Sequence, residues 1–150
     1  MPGIAVGVDG SDHSLRALRW AMRQAAQQRV PLTVLAVRPP PVRPATGIFW
    51  GLHTYPEDSH DPEVTRKPIQ EMVDKIANEI GETAPEVTVN VVTGDAAEQL
   101  IKASRDADMV VVGSRGSGGF AALRMGSVSS KVAHHADCPV VVIRGSHEAS

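Results

Sequence analysis

Cysteine is all but missing. Cys138 stands alone in a chain of 150 residues, which excludes an intrachain disulfide framework and a cysteine-bound metal cluster. Placed before Pro139, that thiol reads as a small buried apolar residue, not a nucleophile. Runs of Lys or Arg are also missing, and the formal net charge is −2. Neither suits a nucleic-acid footprint. Apolar runs stop at about five residues, against roughly 18 needed to span a membrane. Met1 to Val8 has neither the basic start nor the long apolar stretch of a signal peptide, so a cytoplasmic protein is the expectation. No internal repeat is evident. The length and a hydrophobic fraction of 42% fit one soluble globular domain over 1–150 with a sizeable core.

What is present is an alternation of strands and helices. Ile4 to Val8 makes a short apolar strand, ended by Asp9-Gly10-Ser11-Asp12. Ser11 or Asp12 can N-cap a helix in which Leu15, Leu18, Met22 and Ala25 recur with helical spacing. Trp20 lies near that apolar face and belongs with the core. Leu32 to Val37 is a second strand. Residues 38–66 carry Pro39-Pro40-Pro41, Pro44, Pro56 and Pro62 without sustained periodicity, and read as a long proline-rich loop or lid. Its Phe49, Trp50 and Tyr55 suit covering a base, binding a partner or packing the loop itself.

Pro68 can open the next helix, where Ile69, Met72, Val73, Ile76 and Ile80 form one face and Gly81 marks the end. Val87 to Val92 is the third strand. Asp95 and Glu98 are spaced like a capping box ahead of Leu100 and Ile101. Met109 to Val112 is a buried fourth strand, Val128 to Ala136 a short helix, and Pro139 to Ile143 a last strand before a tail at 144–150. This order predicts βαβ units: a parallel sheet with helices on both faces. In such sheets the ligand sits beyond the carboxyl ends of the strands, where strand order reverses. Asp9, Val37 and Gly113 should share that edge.

The densest signal follows the fourth strand. Glycines stand at Gly113-x2-Gly116-x9-Gly126, with Ser127 next and Ser129 and Ser130 close behind. Glycines between a strand and a helix let backbone N–H groups approach a ligand with no Cβ in the way. A helix start adds unpaired donors and a positive dipole end, a setting for phosphate. Related loops do not fit. No lysine follows a glycine, as a Walker A loop requires. A dinucleotide fingerprint forced onto Gly116-x-Gly118-x2-Ala121 finds its acid, Asp137, at the wrong end of the following strand. The expectation is a phosphate cradle, weighed against a ligand-free loop.

These residues resemble the universal stress protein family in its nucleotide-binding class, over almost the whole chain. The resemblance rests on Val6-Gly7-Val8-Asp9-Gly10-Ser11, on Ala17-Leu18-Arg19-Trp20-Ala21 and on the turn at Gly94-Asp95. Its most specific parts are the glycine spacing with Ser127 and the stretch His135-Ala136-Asp137-Cys138-Pro139-Val140. It implies a five-stranded sheet ordered 3-2-1-4-5 and a homodimer through the last strand, Pro139 to Ile143. It further implies that Gly113, Ser114, Arg115, Gly116, Ser117, Gly118 and Gly119, with Gly126, Ser127, Val128 and Ser129, wrap the ribose and phosphates of ATP. Val37 would offer backbone groups to the adenine edge, and Gly7 would leave room for base or sugar. Relatives often carry His where Ala36 stands, which concerns base coverage only.

Asp9 can also be argued physically. A carboxylate beside a triphosphate is repelled unless it takes ribose hydroxyl protons or a divalent cation such as Mg neutralises both. The competing role is a cap on the following turn. Arg115, Arg124 and Lys131 are equally suited to phosphate and to solvent, and His134-His135 read as helix-end residues. No Gly-x-Ser-x-Gly elbow, no His-Glu-x-x-His and no positioned base is present. The expectation is therefore an ATP-binding stress or signalling regulator with slow or absent hydrolysis, and an unidentified protein partner. A slow ATPase and a nucleotide-free scaffold are the alternatives.

Overall fold

The computed structural model describes residues 2–38, 61–114 and 126–144. Along the chain they form β1 (Ile4–Val8), α1 (Asp12–Gln28), β2 (Leu32–Arg38), α2 (Pro62–Ile80) and β3 (Val87–Thr93). After these come α3 (Ala96–Ser104), β4 (Met109–Gly113), α4 (Ser127–His135) and β5 (Val140–Ile143). The strands make a single five-stranded sheet in the order β3-β2-β1-β4-β5, every neighbouring pair parallel. Strand order reverses between β1 and β4.

Successive strand residues point to opposite faces, and the core divides accordingly. Ile4, Val6 and Val8 of β1 join Leu32, Val34, Val89 and Val111 under α1 and α2. Ala5, Leu35, Val110 and Val112 turn the other way, onto Ala97 and Leu100 of α3 and Val132 of α4. Helices thus cover both faces. In α1 the buried stripe is Ala17, Leu18, Ala21, Met22 and Ala25. Truncating a fully buried Leu or Met of this kind costs about 2–5 kcal/mol. Trp20 only half enters, packing on the rim of this cluster.

The helix signals act where they stand. Ser11, not Asp12, caps α1: its Oγ accepts the Ser14 N–H at 3.2 Å. Asp95 caps α3, accepting the Glu98 N–H at 2.9 Å. Gly81 ends α2 at φ 90°, a conformation that L side chains resist. Two boundaries differ from the sequence reading. The proline-rich loop expected over 38–66 is shorter at both ends, because Arg38 belongs to β2 and 62–66 to α2. Pro62 occupies the first turn of α2, where a missing N–H costs nothing, and Asp61 caps it through the Glu63 N–H at 2.9 Å. Pro68, expected to open the helix, lies inside it. The expected roles of Phe49, Trp50 and Tyr55 lie outside the described residues.

Candidate functional site

The edge at the carboxyl ends of β1, β2 and β4 is built from three short junctions. The first is the turn from β1 into α1. Asp9 folds its carboxylate back so that Oδ1 accepts the Ser11 N–H at 2.8 Å. The Asp9 N–H donates to Ser14 Oγ at 3.2 Å, and that hydroxyl donates to the Ser11 carbonyl at 2.9 Å. Gly10 sits between them at φ 85°, which the reversal requires. Ser14 is only 5% exposed. The turn is therefore held by side chains from both sides, and Asp9 has the capping role weighed in the sequence.

The second junction joins β4 to α4. Gly113 ends β4 against the first turn of α1; a Cβ there would lie 2.9 Å from the His13 carbonyl oxygen. Only glycine lets these two backbones meet. Ser114 continues the sheet, donating its N–H to the Ile143 carbonyl at 2.9 Å. Its own carbonyl accepts from the Gly126 N–H at 2.5 Å and lies 3.1 Å from Ser129 Oγ. Helix α4 then starts from Gly126, which has no side chain of its own to cap it. Its first N–H groups have no partner within the helix, and they carry the positive end of its dipole. Ser127 and Val128 are exposed beside them.

The third junction is the end of β2. Leu32 donates to the Glu86 carbonyl and the Arg38 carbonyl accepts from Gly94, each at 2.9 Å, so both face β3. By the two-residue alternation of a strand, the peptide groups of Val37 face β1. The pairing of β1 with β2 ends at Val8 opposite Ala36. Val37 thus lies at the end of that ladder, with its backbone toward the edge where Asp9 begins its turn.

Several expected residues make other contacts. Gly7 was expected to leave room for base or sugar, but a Cβ there would lie 2.8 Å from Leu100 Cδ1. That space is filled by helix α3. Ser129 was expected to wrap the ligand, yet it is 2% exposed and its hydroxyl is turned inward to the carbonyls of Ser114 and Gly126. Lys131 points to Asp95 of α3 at 3.9 Å, across an exposed gap of little energetic weight. His134 and His135 end α4, and no group of metal-binding side chains occurs among the described residues. Arg115, Gly116, Ser117, Gly118, Gly119 and Arg124 lie outside the described residues. Ser14 was missed in sequence, although its place three residues after Ser11 was a usable signal.

Cys138 is half-buried rather than buried. Desolvation raises its thiol pKa above the ordinary value, with a smaller upward push from the Asp108 and Asp137 carboxylates and a downward one from a backbone hydrogen bond at Val110. It is poorly suited to act as a thiolate.

A doubly wound parallel sheet with a glycine-bounded strand-to-helix junction at its switch point defines a class: open α/β domains with helices on both faces. The family can be named. The profile of the Universal stress protein family matches residues 2–144, and the chain belongs to that family. It is 36% identical over 151 residues to a universal stress protein of Mycolicibacterium smegmatis, spanning 99% of this chain and 50% of that one. Universal stress protein Rv1996 of Mycobacterium tuberculosis is 36% identical over 150 residues, covering 94% and 47%. The chain thus spans about half the length of these relatives.

Solved structures share the fold. Universal stress protein UspA from Lactobacillus plantarum superposes with a TM-score of 0.75 at 21% identity, over 95% of this chain and 97% of that one. A universal stress protein in complex with cAMP gives 0.65 at 24% identity, over 95% of each. One from Archaeoglobus fulgidus, in complex with dAMP, gives 0.60 at 21%, over 95% and 98%. No helix among the described residues is long and apolar enough to cross a membrane.

Proposed function

We propose that this chain binds an adenine nucleotide at the carboxyl edge of its sheet and acts as a nucleotide-dependent stress or signalling regulator. One observation carries the reading: the end of β4 meets the Gly126 start of α4 through the Ser114 carbonyl, on the sheet edge shared with the ends of β1 and β2, at the point where strand order reverses. Val37 would meet the base through its backbone, as the alternation along β2 favours. Val128, one of two exposed large hydrophobic residues among those described, would pack on the sugar. The first N–H groups of α4 and the Ser127 hydroxyl would meet phosphate. The complexes of two structural neighbours with cAMP and dAMP support an adenine ligand. The glycine spacing of the sequence supports ATP among adenine nucleotides.

Asp9 would take ribose hydroxyl protons, or share a Mg ion with the phosphates, from a turn already fixed by Ser11 and Ser14. Phosphoryl transfer needs the nucleophile oriented as well as the charge neutralised, and the sequence motifs offer no base to orient it, so the reading is of slow or absent hydrolysis. The four half-buried residues of β5, which pairs with β4 at the edge of the sheet, would form the homodimer surface.

Natively purified protein should release ATP or ADP on denaturation, identified by chromatography and mass. Mg-ATP should bind saturably, and Asp9→Ala and Gly126→Ala should weaken it. Released nucleotide that turns to ADP on incubation, and does so through repeated purification, would make the protein a slow ATPase. If nothing is released and millimolar Mg-ATP gives no binding, the reading fails and an interaction protein takes its place. Sedimentation of the same preparation as a monomer would remove the dimer.

A further inference from the structure

Three serines are buried among the described residues: Ser14, Ser104 and Ser129. A buried hydroxyl costs free energy unless it is hydrogen-bonded, so where each bond goes shows what the serine fixes. Ser104 donates to the Ile101 carbonyl at 2.5 Å and accepts the Asp137 N–H at 2.8 Å, tying α3 to the segment after α4. Ser14 fixes the β1–α1 turn. Ser129 is placed differently from both. Its Oγ lies 3.1 Å from the Gly126 carbonyl, a local contact within the first turn of α4, and 3.1 Å from the Ser114 carbonyl, at the end of β4.

We infer that Ser129 is a positioning residue: its buried hydroxyl holds the end of β4 and the start of α4 at a fixed separation, and it does not itself touch the ligand. The inference rests on the nucleotide reading above and deepens it. Two observations support it. The Gly126 N–H donates to the same Ser114 carbonyl, so one carbonyl receives both the helix start and the side chain from the helix's first turn. The N-cap residue of α4 is Gly126, which has no side chain to cap the helix, so that start lacks the usual local restraint. The Ser129 proton can go to either carbonyl, and donation to Ser114 ties the helix to the sheet. A ligand gripped jointly by the Val37 backbone and the α4 amides needs those two groups at one spacing. Without the tie, α4 can shift on Val132, its apolar anchor, and the amides leave their positions.

The experiment compares Ser129→Ala, Ser129→Thr and Ser104→Ala in the full chain. Three readouts are followed: thermal midpoint, Mg-ATP affinity, and hydrogen exchange of the Gly126 amide in nucleotide-free protein. Both alanine variants should lose stability, since each loses a buried hydroxyl. Only Ser129→Ala should weaken Mg-ATP, by about tenfold, the scale of one lost hydrogen bond. Only that variant should speed exchange at Gly126, and Ser129→Thr, which keeps the hydroxyl, should restore both. The inference is overturned if wild-type protein binds Mg-ATP and Ser129→Ala binds it equally well. It is also overturned if Gly126 exchange is unchanged in Ser129→Ala. Wild-type protein that binds no nucleotide overturns the functional reading and, with it, the positioning role, while accelerated Gly126 exchange in Ser129→Ala would still establish the tie as structural.

Discussion

Glycine and serine are small for different reasons in this chain. Gly113 is required by steric contact: the His13 carbonyl stands 2.9 Å from where its Cβ would be, and a backbone oxygen cannot swing away as a side-chain tip can. Gly113→Ala should therefore destabilise the fold by about 1–3 kcal/mol, the usual cost of overpacking. Urea unfolding measures it, and a wild-type midpoint would show that β4 and α1 are free to separate. Cys138 is small too, and its burial governs its chemistry. Burial, reinforced by two nearby carboxylates, raises its thiol pKa, so less thiolate exists in the folded protein at any pH below that value. Iodoacetamide should alkylate folded protein more slowly than urea-unfolded protein at pH 8. Folded protein should catch up as pH rises through the raised pKa. Equal rates at pH 8 would contradict the desolvation.

At the level of elements, the helices are specified by local chemistry and then fixed by packing. Asp95 shows how to separate two contributions at one residue. Its carboxylate accepts the Glu98 N–H at 2.9 Å and faces Lys131 at 3.9 Å. The cap is worth about 1 kcal/mol, whereas an exposed ion pair at that distance is worth little. Asp95→Ala should lower stability by about 1 kcal/mol, and Lys131→Ala should leave it nearly unchanged. Similar losses in the two variants would move the weight to the ion pair. The start of α2 was not legible for a related reason. Residues 62–66 carry Glu63, an exposed Val64 and Arg66, with no apolar stripe to announce a helix. Among so many prolines Pro62 reads as loop punctuation, although a proline at a helix start is equally consistent with its chemistry.

For the whole molecule, nucleotide binding and stability are linked. A ligand that binds only the folded state adds about 2.7 kcal/mol at one hundred times Kd. For a chain of this size, each kcal/mol moves the thermal midpoint by roughly 2–4 °C. The Mg-ATP titration proposed above should therefore appear as a rise of several degrees, largest for wild type and reduced in Asp9→Ala.

The sequence by itself determined what depends on near neighbours. The alternation of apolar strands with helical stripes, a cap at Ser11 or Asp12, the Asp95 cap, the stop at Gly81 and the placing of Asp9, Val37 and Gly113 at strand ends were all readable within windows of a few residues. So was the parallel sheet, because strands joined through helices leave few other arrangements. The order of the strands came from family resemblance, since periodicity says nothing about which strand lies beside which. Only the tertiary structure decided the partners of small residues. Gly7 meets Leu100, Gly113 meets His13, and Ser129 meets Ser114. These contacts join segments far apart in the chain, and a missing or short side chain leaves no pattern in sequence to show what occupies the space beside it.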